Sequence, residues 1–107
     1  MEIKNIKDMI EYPTEGVLSK SLVKNDQMDV SLFCMAKGTE IGNHTSTKQG
    51  YVHVVEGNGI FNLEGEDIEM KEGQFIFMKE IAVHSLSAKE NTAFVLSLIK
   101  SEGGQNE

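Results

Sequence analysis

Disulfide bridges, membrane-crossing runs, sustained helical periodicity and a basic surface are all missing from this sequence, and each absence narrows what the chain can be. Cys34 is the only cysteine, so no disulfide can close within the chain, and such sparing use fits a reducing compartment. No stretch approaches the roughly 20 apolar residues that a membrane-spanning helix needs. Residues 1–12 mix charges and hold no apolar run of signal-peptide length, so a cytoplasmic location is expected. With 10 basic against 17 acidic side chains the formal charge is −7, and no lysine stripe offsets it. Such a surface repels phosphate backbones and anionic lipid, so neither nucleic acid nor a membrane is expected as a partner. Outside residues 5–10, where one helical turn is expected, no segment keeps a period of 3.6, and there is no internal repeat.

What remains is a chain punctuated by glycine. Glycines at 38, 42, 50, 57, 59, 65 and 73 separate short apolar or alternating runs, the pattern of many short strands joined by tight turns. Strands are expected at 17–24, 28–36, 51–55, 60–63, 68–70, 75–78, 83–86 and 92–99. Asn25-Asp26 turns the first pair, Gly57-Asn58-Gly59 breaks the chain in its middle, and a hairpin closes through Glu64-Gly65-Glu66-Asp67. About eight strands without helices predict an all-β fold, a single barrel or two-sheet jelly roll of short antiparallel strands, because closure removes exposed strand edges. The expected layout is an N-terminal extended segment at 1–16, a barrel domain at 17–100 and a flexible tail at 101–107.

Two segments carry a more specific signal. The first reads Gly38-Thr-Glu-Ile-Gly-Asn-His44-Thr-Ser46-Thr-Lys-Gln-Gly50-Tyr-Val-His-Val-Val-Glu56-Gly57, and the second Gly73-Gln-Phe-Ile-Phe-Met-Lys79-Glu-Ile81-Ala-Val-His84. They resemble the two motifs of the cupin superfamily, and the resemblance spans nearly the whole of 17–100. It implies a jelly-roll barrel whose interior holds a cage of histidines and a carboxylate for a divalent transition metal such as Zn, Fe, Mn or Ni. Against that pattern, His44 and His84 occupy the first and last ligand positions. Ser46 stands where the motif has its second histidine, and Gly50 where it has its glutamate. Lys79 and Ile81 replace the proline and glycine of the second motif.

Two neutral imidazoles alone hold a metal weakly, since catalytic zinc sites use three protein ligands. The resemblance therefore implies an interior pocket in which His44, Ser46, Gln49 and His84 offer hydrogen bonds to a small-molecule ligand, with His44 and His84 as the candidate metal ligands. The alternative is a metal-dependent isomerase or dioxygenase acting on a sugar or small organic acid, with an imidazole or metal-bound hydroxide as base. A third reading is a structural dimer whose barrel is filled by its own side chains. His53 has the parity of an outward residue if Val52 and Val54 face in. Cys34, in an apolar run with no basic neighbour, reads as a buried inert thiol. Residues 17–24 carry Val17, Leu18, Leu22 and Val23 on both faces, so a homodimer is expected, a second copy covering one of them.

Overall fold

In the computed structural model, which describes residues 3–100, one short helix and nine strands follow one another. They are α1 (Ile6–Met9), β1 (Val17–Lys24), β2 (Met28–Met35), β3 (Glu40–His44), β4 (Gln49–Glu56), β5 (Asn58–Leu63), β6 (Glu66–Lys71), β7 (Phe75–Met78), β8 (His84–Ala88) and β9 (Thr92–Ile99). The expected tail at 101–107 lies outside the described residues. The expected helical turn at 5–10 forms as α1, capped by Asn5, whose side-chain oxygen accepts from the Asp8 backbone N–H. The sequence reading missed β3, because Glu40–His44 mixes polar and small residues and alternates poorly.

Every pairing is antiparallel. One sheet runs β1-β2-β9-β4-β7 and the other β3-β8-β5-β6, the two-sheet jelly roll that the strand count predicted. Local chemistry sets the turns. The Asn25 side chain accepts from the backbone N–H of Gln27 and Met28, fixing the β1–β2 hairpin. Glu64 and Gly65, at φ 53° and 87°, form a two-residue β5–β6 turn with both central residues left-handed, the geometry that matches strand twist. Between β4 and β5 the chain passes from one sheet to the other at Gly57, whose φ is 111°. A Cβ there would lie 2.4 Å from the Asn91 carbonyl oxygen, so no other residue fits without moving the backbone.

The main core fills the space between the sheets, with Met35, Val52, Val54, Phe61, Met70 and Phe94 among its fully or nearly fully buried members. A second cluster lies on the outer face of the five-stranded sheet. There Leu32, Cys34 and Ala93 are covered by Ile6, Met9, Ile10 and Tyr12 from the N-terminal segment, with Leu22 packed alongside. The Tyr12 hydroxyl donates to the Glu56 carboxylate at 2.7 Å, pinning the segment down. Burial, and then that carboxylate, push the Tyr12 hydroxyl well above its ordinary pKa. Leu22, one of the apolar residues from which a dimer was expected, thus finds cover within its own chain. Val17, another of them, stays exposed, as does Ile3, and the rest of the exposed large apolar side chains are Phe75 and Phe77 of β7 and Ile81 and Val83 after it. Among the described residues no helix is long and apolar enough to cross a membrane.

Candidate functional site

His44 and His84 face each other across the β3–β8 ladder, with ring centroids 4.0 Å apart in an edge-on arrangement. A bulge produces this meeting. Ile41 pairs with Leu86 and His44 with His84, so β3 spends one residue more than β8 between the two rungs. In an unbroken strand Ile41 and His44, three apart, would point to opposite faces. The extra residue lets both line the same interior cavity.

Hydrogen bonds fix both rings. The Nδ1–H of His44 donates to the Gly42 carbonyl at 2.9 Å, and that of His84 to the Ala82 carbonyl at 3.0 Å. A carbonyl only accepts, so Nδ1 carries the proton in each ring and Nε2 of the neutral imidazole is a bare acceptor. His84 is only 4% exposed, and its one hydrogen bond within the protein is made by Nδ1. Among the described residues no side-chain nitrogen or oxygen is sealed away without a partner, so His84 Nε2 keeps its small exposure by opening on the cavity it lines. Burial, and to a smaller extent the neighbouring His44, lower the pKa of His84 below 6.5, against an opposing contribution from the Ala82 carbonyl. His44 is exposed and stands at the cavity mouth.

The cavity has a volume of about 160 Å³ and lies between the sheets. Phe61 and Leu86 join the histidines on one side, and Phe33, Val52, Phe94 and Leu96 form the other wall. Phe33 stacks on Phe94 with centroids 5.3 Å apart, and Phe61 lies parallel to His84 at 5.7 Å. None of these wall residues was among the sequence-derived site candidates, although strand alternation carries the signal: Phe33 shares parity with Met35, and Phe94 with Leu96. A larger open groove of about 620 Å³ on the outer face of the four-stranded sheet, floored by Ser85 and Ser87, touches neither histidine. The smaller cavity is the better site, because it is more enclosed and is where both imidazoles open.

Ser46 and Gln49 do not line this cavity. The His-x-His spacing places two side chains together only if the strand continues, and β3 ends at His44. Ser46 is in the following loop, its hydroxyl accepting from the Lys48 N–H and its carbonyl from the Ile81 N–H. Gln49 opens β4 opposite Ile99. Gly50 cannot be replaced cheaply, since a Cβ there would come within 2.3 Å of the Ser97 carbonyl oxygen. His53 is exposed, while Val52 and Val54 are buried against the inter-sheet core.

The donor set present does not fit a tightly held transition metal. Among the described residues no group of three or more histidine, cysteine, aspartate or glutamate side chains could hold one. Two imidazoles are brought together, and the positions of the other two ligands are a loop serine and a sterically closed glycine.

Comparison with known proteins agrees with the architecture. The sequence profile of the cupin domain matches residues 31–99. No curated protein matches the chain. Among solved structures, a conserved protein of unknown function from Streptococcus pyogenes is 27% identical, with a TM-score of 0.84 over 94% of this chain and 89% of that one. A cupin superfamily protein from Desulfitobacterium hafniense is 17% identical, with a TM-score of 0.82 over 88% of this chain and 86% of that one. Salicylate 1,2-dioxygenase from Pseudoaminobacter salicylatoxidans is 16% identical with a TM-score of 0.74; the match covers 78% of this chain but 25% of the enzyme.

Proposed function

The chain belongs to the cupin domain family, and we propose that its barrel binds a small molecule between the two sheets, beside His44 and His84. The observation that carries this reading is the acceptor nitrogen of a 4%-exposed histidine, unused within the protein and opening on a cavity of about 160 Å³. Polar atoms in an apolar interior are ordinarily satisfied by the protein or by ordered water, and one that opens on a cavity is available to a ligand there. A barrel filled by its own side chains has no such space. A metal-dependent isomerase or dioxygenase reading needs a third protein ligand, which the described residues do not supply.

Ligand-detected NMR with a library of small fragments tests the reading. Binding is expected in wild type and lost in Leu96→Phe, which fills the wall opposite the histidines. Fragments that bind wild type and Leu96→Phe equally would place binding elsewhere and overturn it.

The sequence places the expected homodimer contact on residues 17–24, where Leu22 is covered and Val17 is not; we propose instead the β7 end of the five-stranded sheet as the contact face. Phe75 and Phe77 are 60% and 54% exposed there, and Tyr51 packs on Phe75 with ring centroids 4.9 Å apart. A monomer by light scattering at micromolar concentration would remove this part of the proposal.

A further inference from the structure

We infer that the cavity takes a small flat aromatic molecule with one uncharged hydrogen-bond donor, a phenol in chemical class, held by imidazole nitrogen rather than through a metal. This rests on the reading that the space between the sheets is the binding site, and it names what fits there.

Polarity comes first. Both rings have Nδ1–H committed to backbone carbonyls, of Gly42 and Ala82, so each offers the cavity an acceptor. A ligand must therefore bring the hydrogen. An acceptor-only molecule would set lone pair against lone pair and seal His84 Nε2 off unsatisfied.

Charge comes second. No lysine lines the cavity, and the chain contains no arginine, the side chain best suited to a carboxylate. Every wall residue other than the two histidines is apolar. A carboxylate or phosphate would be buried there without a counter-charge, which is prohibitive. This argues against an organic acid, considered among the substrates from the sequence.

Shape comes third. Aromatic rings line the site, Phe33 lying within 7° of parallel to Phe94 and Phe61 within 3° of His84. Aromatic surroundings favour an aromatic partner. The volume of about 160 Å³ is close to the roughly 150 Å³ apolar cavity known to hold benzene. One ring with one small substituent fits it; a sugar, with its several hydroxyls, would find two acceptors and no donor.

Titrating the wild-type protein near neutral pH with phenol, toluene, benzoate and Zn²⁺, followed by amide chemical shifts and calorimetry, tests the inference. Phenol and toluene are nearly the same shape, and toluene loses nothing on leaving water, so any preference for phenol reports an acceptor. Phenol is expected to bind about fivefold or more tighter than toluene, the scale of one neutral hydrogen bond. Benzoate is expected to show no binding where phenol saturates. Toluene binding as tightly as phenol would overturn the donor assignment while leaving the cavity a binding site. Benzoate binding as well as phenol would show a hidden positive charge and overturn the uncharged class. A submicromolar Zn²⁺ complex that blocks phenol would overturn the metal-free assignment. Neither aromatic shifting the amides of Phe33, Phe61, His84 or Phe94 would remove the inference and the pocket reading together. In His84→Phe the phenol preference should fall with toluene binding kept, and in His44→Phe/His84→Phe it should vanish. Should the variants at buried His84 fail to fold, His44→Phe at the exposed mouth and the wild-type series still decide.

Discussion

Replacing Gly50 by alanine should destabilise the fold severely for a one-carbon change. The added Cβ would lie 2.3 Å from the Ser97 carbonyl oxygen, 2.9 Å from a Leu98 methyl and 3.3 Å from the Leu98 Cα. Two of those three neighbours are backbone of β9, which is held by β2 on one side and β4 on the other, so neither can swing aside as a side chain could. Overpacking costs about 1–3 kcal/mol, and immovable backbone puts this site at or above the upper end. With a urea slope of roughly 1.5 kcal/mol per M, a loss of about 3 kcal/mol lowers the midpoint by about 2 M. Gly42→Ala is the control, because a Cβ there meets nothing within 4 Å and its φ is not in the left-handed region; it should change stability by less than about 1 kcal/mol. Equilibrium urea unfolding of both variants followed by far-UV circular dichroism gives the answer. A Gly50→Ala protein within roughly 0.5 kcal/mol of wild type, the scatter of ordinary surface changes, would refute the steric argument. It would also reopen position 50 to a carboxylate ligand, which the structure closes.

Three other outcomes follow from single positions. Ile81 stands at φ 70° while 59% exposed, a left-handed conformation that a β-branched residue adopts at a cost of about 1–2 kcal/mol, so Ile81→Gly should raise the thermal midpoint, and a lower midpoint would contradict the strain. His84 stays neutral in the fold below 6.5 while the unfolded chain's ring takes up a proton there, so the unfolded state binds more protons; stability is full above 6.5 and falls as pH drops toward the depressed folded value. Urea midpoints at about pH 7.5 and 5.5 should show that fall in wild type and a smaller one in His84→Phe, and equal falls would assign the slope to other groups. Cys34, at 0% exposure, should react with a thiol reagent far more slowly in the native protein than in urea, and rapid native labelling would place it outside the cluster under Tyr12.

The architecture was legible because its signals are local and repeated. Short apolar runs such as Phe75–Met78 and Thr92–Ile99, bounded by glycine and turn residues, mark strands, and Asn25 and Glu64-Gly65 sit where hairpins turn. β3 escaped because it is an edge strand whose middle, Gly42-Asn43, is exposed and irregular, so burial never imposes a pattern on it. The second cluster was invisible for a different reason. Nothing in residues 6–12 announces that they fold back over Leu32 and Cys34; that depends on where the chain runs after leaving the sheet. The cavity walls follow from parity once the sheets are known, but the cavity itself is a deficit of volume between them, and no single residue encodes a deficit.

The site separates what spacing can say from what it cannot. A motif of histidines at fixed intervals assumes a strand of constant parity, and here that assumption fails twice in a short stretch. The bulge between Ile41 and His44 brings His44 onto the cavity side, and the strand then ends, leaving Ser46 in a loop with its hydroxyl tied to Lys48. Gly50 marks the deeper difference. Its backbone lies so close to Ser97 that the carboxylate position is occupied by the neighbouring strand itself, and a glutamate there would require β9 to move away from β4. Changing Ser46 to histidine and Gly50 to glutamate would restore the letters of the motif but not its geometry. The two retained histidines, by contrast, are held by backbone carbonyls two residues before each, an arrangement that needs no metal to orient the rings. Their Nε2 acceptors are therefore set by the fold alone, and a hydrogen donor of the right size can use them as they stand.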